Sequence, residues 1–507
     1  MTEHSIGGKV QTGIAGFDHI AFGGLPRNRN TLVAGTAGSG KSVFGLQFLF
    51  SGATMDDEAG VLVAFEEPPG DLMQNVRTFG WDLEKLVRER KLAVVDATAT
   101  VDDEATVAGT YDLSALLVRI EAAIRAVNAK RVVLDSVGAL FTQFDDGGLV
   151  RRELHRIGAR LRGLGLITIS TAERVEEDGG IGRFGVEDFV ADNVIVLRNR
   201  LDGERRRRTM EIVKLRGGPH YKGEYPFTID LEEGIAVIPL SAIQLSQKSS
   251  TERMSSGVAE LDEMCGGGLY RDSIALVSGA TGTGKTMLVS HFLKAGFDAG
   301  ERVLLFAAEE SKEQLARNAA AWGIDFGKAE RDGLLKVVCR LPETMGLEDH
   351  LIHMRRDIAH FKPMRVAIDS MTALERASSM KSFREFLIGL VTNLKHLGVA
   401  AMLTTSSAML SVTESATEIH ISTMTDTIIL LRYIEISSEI RRGVTVLKMR
   451  GARHERAIRE YTIDGTGMKI GATFRNIHGI LGGSPTYMFT PGLGHDVRAP
   501  DRHNELA

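Results

Sequence analysis

Gly35-Thr-Ala-Gly-Ser-Gly-Lys-Ser42 and Gly279-Ala-Thr-Gly-Thr-Gly-Lys-Thr286 are two copies of one eight-residue pattern, G-x-x-x-x-G-K-[ST]. In such a loop the glycines let successive backbone N–H groups curl around phosphate oxygens, the lysine reaches the terminal phosphates, and the last hydroxyl suits a divalent cation. Each octet follows a short apolar run (Thr31 to Ala34; Ile274 to Val277) and precedes an amphipathic one (Val43 to Phe50; Met287 to Leu293). Strand, loop and helix in that order set the phosphates at a helix N-terminus. The nucleotide-contacting residues expected are therefore Gly38, Ser39, Gly40, Lys41 and Ser42 in the first half, and Thr281, Gly282, Thr283, Gly284, Lys285 and Thr286 in the second. ATP and Mg²⁺ are the implied cofactors, with Ser42 and Thr286 as metal ligands.

The duplication extends well beyond the loops. TGIAGFDHIAFGGL (Thr12 to Leu25) matches SGVAELDEMCGGGL (Ser256 to Leu269), an offset of 256 − 12 = 244 that also relates Gly35 to Gly279. VLVAFEE (Val61 to Glu67) pairs with VLLFAAEE (Val303 to Glu310), RVVLDS (Arg131 to Ser136) with RVAIDS (Arg365 to Ser370), and VKLRG (Val213 to Gly217) with LKMRG (Leu447 to Gly451). Short apolar runs separated by helical-period stretches predict an α/β fold, with a mostly parallel sheet and helices on both faces in each half. DNVIVLRNRL, RTMEIVKLRG and EYPFTID read as adjacent strands joined by short turns, so a β-hairpin extension should follow each parallel core. The expected organisation is a first domain over 1–244, a polar linker over 245–254, a second domain over 255–485 and a Gly-, Pro- and His-rich flexible tail over 486–507.

Composition narrows the class. A chain of 507 residues exceeds one typical core, and 43% hydrophobic with 25% charged residues is ordinary for a soluble globular protein. A net charge of −5 supplies no global attraction to nucleic acid. The two cysteines, Cys265 and Cys339, form no disulfide framework and no metal-ligand spacing, and read as small core residues of a cytoplasmic protein. No signal core or membrane-spanning run is present in the sequence.

Asp135 and Asp369 end apolar strands downstream of the phosphate loops, where a carboxylate supports Mg²⁺. The glutamate pairs Glu66-Glu67 and Glu309-Glu310 stand at strand ends where an attacking water or hydroxyl is oriented and deprotonated, and are the expected catalytic residues; Glu310 is also an expected metal ligand. Lys214-x-Arg216 and Lys448-x-Arg450 lie far along the chain from the loops and suit a cationic finger donated by a neighbouring subunit, which implies a ring. The halves disagree before the last parallel strand: Ser422-Thr423 stand opposite Asp188-Phe189. Hydroxyls occur beside the second site alone, which suits a site that transfers phosphate to its own protein. Arg205 to Arg208 is the one strong basic cluster, read as a solvated or inter-subunit salt-bridged face in preference to a polyanion site. A nucleic-acid motor is the competing function, opposed by the acidic balance and by the lack of a recognisable nucleic-acid module.

LDEMCGGG, GATGTGKT, HISTMTDTIILL, KMRG, GERRRRT and KGEYPFTI resemble segments of the KaiC family of clock proteins, double-domain members of the RecA-like P-loop ATPases, over about Thr12 to Thr486. The resemblance implies a homohexamer of two stacked rings, an N-terminal ATPase ring and a C-terminal ring that phosphorylates and dephosphorylates itself, used for timing or stress signalling. It further implies that Ser422 and Thr423 are phosphoacceptors with Thr417 nearby. The glutamate pairs would be catalytic. Lys214, Arg216, Lys448 and Arg450 would reach ATP across subunits, with Trp322 on the base and His220 also at the nucleotide. GILGGSPT (Gly479 to Thr486) resembles a loop that restrains the kinase. A KaiB-type partner is expected although ATATVDDEATVAGT (Ala97 to Thr110) differs from its usual docking loop. Dependence on KaiA is not expected, because no amphipathic segment stands out after Tyr487.

Overall fold

In the computed structural model, the described residues are 8–98, 114–141, 147–180, 191–239, 249–406, 421–436, 438–474, 477–478 and 486–487. Thr417, the segments 99–110 and 181–190 and most of 479–486 lie outside them. By compactness the chain divides into one unit of Met1–Gln247 with Pro342–His360 and Leu374–Asn393, and another of Lys248–Leu341 with Phe361–Ala373 and Leu394–Ala507.

Each half builds a nine-stranded sheet. The first comprises β1 (Asn30–Gly35), β2 (Gly60–Ala64), β3 (Leu92–Asp96), β4 (Arg131–Asp135), β5 (Ile167–Glu173), β6 (Asn193–Asp202), β7 (Arg205–Leu215), β8 (Glu224–Asp230) and β9 (Gly234–Val237). Its order is β9-β8-β7-β6-β1-β5-β4-β2-β3, parallel from β6 to β3 and antiparallel from β6 to β9. The second repeats this with β10 (Ile274–Gly279), β11 (Val303–Ala307), β12 (Leu335–Cys339), β13 (Arg365–Asp369), β14 (Ala400–Thr405), β15 (Thr427–Ile436), β16 (Glu439–Met449), β17 (Arg459–Asp464) and β18 (Gly467–Thr473). Here the order is β12-β11-β13-β14-β10-β15-β16-β17-β18, again six parallel strands and then an antiparallel extension. The parallel strands are nearly continuous apolar runs because helices cover both faces. In the first sheet Leu32 and Ala34 pack into one core cluster, while Val33 between them packs into another.

The phosphate-loop strand is central in each sheet, so its C-terminal end opens where the strand order reverses, the usual ligand position in such folds. Helix α1 (Lys41–Met55) follows the first loop, α2 (Gly147–Gly163) lies later in that half, and α3 (Lys285–Asp298) follows the second loop. α1 and α3 run several residues beyond the amphipathic stretches read from sequence, since both carry apolar residues nearly all round: Phe44, Leu46, Phe48 and Leu49 are buried on α1, Met287, Leu288, Val289 and Phe292 on α3.

Both halves also bury an arginine at the start of the strand that ends in the site aspartate. Arg131, fully buried, donates Nε to Glu58 at 2.8 Å, Nη1 to the Phe48 carbonyl at 2.9 Å and Nη2 to Asp56, with its guanidinium 4.5 Å from the Phe48 ring centroid. Arg365 repeats the arrangement with Glu301, the Ser255 and Phe292 carbonyls and the Phe292 ring.

One sequence expectation is corrected. Cys265 is buried and its thiol is pushed up to about 12 by that burial, but Cys339 is exposed at the end of edge strand β12 and is no core residue. The Arg205 to Arg208 run starts β7, and its ion pairs and hydrogen bonds fall within the first compact unit, so the salt bridges on this face form inside the chain. Arg207 pairs with Glu348 at 2.8 Å and with Glu385, Arg206 donates to the Asn199 carbonyl at 2.7 Å, and Arg208 to the Gly38 carbonyl at 3.2 Å. Among the described residues no helix is long and apolar enough to cross a membrane.

Candidate functional site

Both octets fold as loops between a strand and a helix, and the backbone explains the glycines. Gly38 and Gly40 adopt φ of +70° and +98°, Gly282 and Gly284 +82° and +96°, values that disfavour any side chain. A Cβ at Gly40 would stand 2.9 Å from Ile229 Cδ1, and one at Gly284 2.9 Å from Ile463 Cδ1, so the antiparallel extension packs directly beneath each loop. Lys285 Nζ donates to the Gly279 and Ala280 carbonyls at 2.7 and 3.0 Å, and Lys41 Nζ to the Thr36 carbonyl at 2.9 Å. Burial lowers the pKa of both ammonium groups, opposed by Glu173 and Asp135 around Lys41 and by Asp369 and Glu309 around Lys285. A desolvated ammonium folded over a ring of backbone donors is built for a phosphate anion.

The predicted carboxylates converge on each loop. Thr286 Oγ1 donates to Asp369 Oδ2 at 2.6 Å, and the Thr404 hydroxyl donates to the other oxygen. In the first half Thr171 holds Asp135 in the same way. These threonines, one strand over, escaped the sequence reading; the STAE segment that ends β5 and the Thr404-Thr405 pair that ends β14 were the available signal. The Asp135–Ser136 and Asp369–Ser370 peptides are both cis. Ser370 Oγ donates to Glu309 Oε2 at 3.4 Å, and Asn318 Nδ2 to Glu310 Oε2 at 2.9 Å. Partial burial raises the Glu310 pKa above the ordinary glutamate value, helped by Asp369 and Glu309; Glu67 is raised by desolvation and then by Asp135. The Thr286 hydroxyl bonded to the half-buried Asp369, with Glu310 close enough to feel that carboxylate, offers hard oxygens of the kind Mg²⁺ prefers, and Ser42 holds the matching loop position in the first half. Ser39 and Thr283 are fully buried in the loops, and Thr283 Oγ1 braces the second by donating to the Ala280 carbonyl at 2.8 Å. Trp322 is half-buried against the second core, and His220 half-buried between β7 and β8, where burial lowers its pKa.

The K-x-R pairs are at the other end of the sheets. β15 runs parallel to β10 with Thr427 opposite Ala275 and Leu431 opposite Gly279, so residues preceding Thr427 lie past the edge opposite the phosphate loop. β16 returns antiparallel with Lys448 opposite Ile428. Lys448 Nζ donates to the Ser422 and Thr425 carbonyls at 2.7 and 2.8 Å, and Arg450 Nη2 to the Thr423 carbonyl at 2.8 Å. The first half is the same: Lys214 is opposite Val194 and donates to the Ala191 carbonyl at 2.7 Å, with Arg216 3.8 Å from Asp192. A β-bulge precedes each pair, between Val194 and Ile195 and between Ile428 and Ile429, leaving Val213 and Leu447 turned outward to 43% and 48% exposure. That extra residue resets the alternation so that the lysine points back across the strand end. The structure thus brings Ser422, Thr423, Lys448 and Arg450 together and separates them from Lys285, Thr286, Glu309, Glu310 and Asp369. From Ala275 to Gly279 alone the strand spans about 13 Å.

A family model described as "ATPase: KaiC" matches residues 10–242 and again 254–474. The chain is 56% identical over 479 residues to the circadian clock protein KaiC3 of Synechocystis sp., covering 94% of this chain and 95% of that protein. It is 54% identical to the circadian clock oscillator protein KaiC of Thermosynechococcus vestitus, with 94% and 92% covered, and 53% identical to that of Synechococcus elongatus, with 96% and 93% covered.

Proposed function

This chain belongs to the KaiC family of ATPases, and from that premise we propose that it is a homohexameric, cytoplasmic ATPase whose second half also phosphorylates and dephosphorylates Ser422 and Thr423, serving as a timing or stress-signalling core. The observation that carries the reading is the separation just described. In-line phosphoryl transfer needs reacting atoms within about 3.5 Å, and the acceptor turn lies a full strand length from the phosphate loop of its own chain. A nucleotide held by one subunit must therefore meet the acceptor hydroxyls of the next, as in a closed ring.

The residues divide the work accordingly. The loop N–H groups with Lys41 or Lys285 bind and orient the phosphates. Ser42 or Thr286, with Asp135 or Asp369 behind and Glu310 beside the second, would hold Mg²⁺, which neutralises charge on the transferred group. Glu66 and Glu67 orient and deprotonate water in the first half. Glu309 and Glu310 take the proton of the incoming hydroxyl, or of water, in the second. Lys214 with Arg216, and Lys448 with Arg450, stabilise the neighbour's transferring phosphoryl group. Trp322 lies against the base and His220 near the first-half nucleotide. A phosphate on Ser422 or Thr423 adds a charge of about −1.5 to −2 beside Lys448 and Arg450 and repacks that edge. A KaiB-type partner is proposed and a KaiA requirement is not. The nucleic-acid-motor reading gains no support, because Arg207 is paired with Glu348 and Glu385 while Arg205, Arg206 and Arg208 donate to backbone carbonyls of the same chain.

The reading is tested by incubating the protein with Mg-ATP and mapping phosphopeptides over a day. Phosphate is expected on Ser422 and Thr423, and the Ser422→Ala/Thr423→Ala double variant should lose it while ATP turnover continues; unchanged labelling of that variant contradicts the acceptor assignment. The rate also carries a pH signature. A carboxylate with a raised pKa is lost as acid is added at a higher pH than usual, so incorporation should fall through an acid limb above the ordinary glutamate value of 4.5. Asn318→Ala removes the hydrogen bond that favours the Glu310 carboxylate and should move that limb upward; a limb that stays or moves down contradicts the role given to Glu310.

A further inference from the structure

In the first half, the face of β1 and β5 under α2 lines a partly open pocket of about 40 Å³. One water needs roughly 10–15 Å³ of such space, so it admits about three waters or a molecule of three or four heavy atoms. Its walls are aliphatic, with Leu134, Leu154 and Ile157 prominent, yet Asn30 and Thr168 project into it. They are neighbours across the β1–β5 pair and are 8% and 1% exposed, and neither Asn30 Oδ1 nor Thr168 Oγ1 has a hydrogen-bond partner among the described residues. Two buried polar groups left unpaired in an apolar setting are costly unless something else satisfies them.

The second half indicates that this cavity is particular to the first. At the matching register position the β10–β14 pair has Ile274 opposite Ala401. Counting seven residues back from the left-handed glycines Gly165 and Gly398 that follow the corresponding helices (165 − 7 = 158; 398 − 7 = 391) sets Gly158 against Val391. The first half therefore has Asn, Thr and Gly where the second has Ile, Ala and Val. The changes are interlocked, because a Cβ on residue 158 would stand 2.2 Å from Asn30 Nδ2, so the amide could keep its present position only against glycine.

We propose that this cavity is a binding site for a small neutral hydrogen-bonding molecule, a short alcohol or amide or a cluster of waters, held between Asn30 Oδ1 and Thr168 Oγ1 with its apolar part against Leu134, Leu154 and Ile157. The position matters because Ala191, also in the wall, carries the carbonyl to which Lys214 donates. The guest thus sits one peptide from the cationic pair of that half. The binding claim does not depend on what Lys214 does.

The test is a high-resolution structure of the full nucleotide-loaded protein with and without a 2-propanol soak. Density within hydrogen-bonding distance of both Asn30 Oδ1 and Thr168 Oγ1 is expected. Exchange for the alcohol makes the site one for organic guests, and waters that persist through the soak make it a hydration site. An empty cavity, or solvent bonded to neither group, overturns the proposal. The variant Asn30→Ile/Gly158→Val/Thr168→Ala, which gives the first half the residues of the second, should show no density there. If it fails to fold, Thr168→Val alone should lose or displace the guest, and an unshifted guest in that variant overturns the assignment.

Discussion

Glu309→Gln is expected to lower phosphate incorporation at Ser422 and Thr423 by about 10²- to 10⁴-fold, the range for loss of a positioned general base. The substitution keeps the size of the side chain and its contact with Ser370 Oγ at 3.4 Å, so the loss isolates proton acceptance from folding. Glu309 also raises the Glu310 pKa. Its neutralisation should bring Glu310 back toward the ordinary glutamate value, and any residual activity should extend to lower pH. Hydrolysis by the first half, which relies on Glu66 and Glu67, should continue. Quantified phosphopeptides and released phosphate from one sample read both quantities, and incorporation within a few-fold of the unmodified protein would remove Glu309 from the mechanism.

Arg131→Leu should be among the most destabilising single substitutions in the first half. Arg131 is fully buried between Glu58 and Asp56, and its removal strands two carboxylates that it neutralises, together with the Phe48 carbonyl. Breaking a buried pair from one side costs about 3–5 kcal/mol, and because the Asp56 and Glu58 side chains keep 38% and 16% exposure the low end, about 3 kcal/mol, applies. At roughly 2–4 °C per kcal/mol for a domain of this size, the midpoint should drop by about 10 °C. Arg88→Leu serves as the control: its guanidinium is 67% exposed and only 4.0 Å from Asp82, an exposed pair worth little. Calorimetry of the two variants distinguishes them, and equal midpoints would mean that the Arg131 cluster contributes no more than a surface pair.

What was legible in the sequence was what is contiguous. The phosphate loops, the Asp-Ser strand ends and the glutamate pairs each occupy a few adjacent residues, and duplication exposed them by simple alignment. What depends on pairing between distant strands was not. Thr171 and Thr404 hold the site aspartates from a neighbouring strand, and nothing in the spacing to Asp135 or Asp369 announces that. The contact of Lys448 with the acceptor turn requires both the antiparallel return of β16 and the bulge at Leu447. From sequence alone, the K-x-R pairs could be read only as distant. Arg131 and Arg365 opened a recognised repeat, but a strand-initial arginine reads as exposed until the acids from the preceding helix end are seen beneath it. Which groups meet the Arg205 to Arg208 run was hidden for the same reason: Glu348 and Glu385, the partners of Arg207, stand more than a hundred residues away.

The central claim is that phosphate passes from the nucleotide of one chain to the hydroxyls of another. The direct measurement mixes a Lys285→Ala chain, which lacks the donor lysine but keeps Ser422 and Thr423, with a Ser422→Ala/Thr423→Ala chain, which keeps the donor site but lacks acceptors. The two are exchanged into common assemblies and supplied with labelled Mg-ATP. Neither should label alone, and label should appear on Ser422 and Thr423 of the Lys285→Ala chain in the mixture. Absence of label in mixed assemblies, while the unmodified protein labels under the same conditions, would show that transfer occurs within a single chain and would contradict the account.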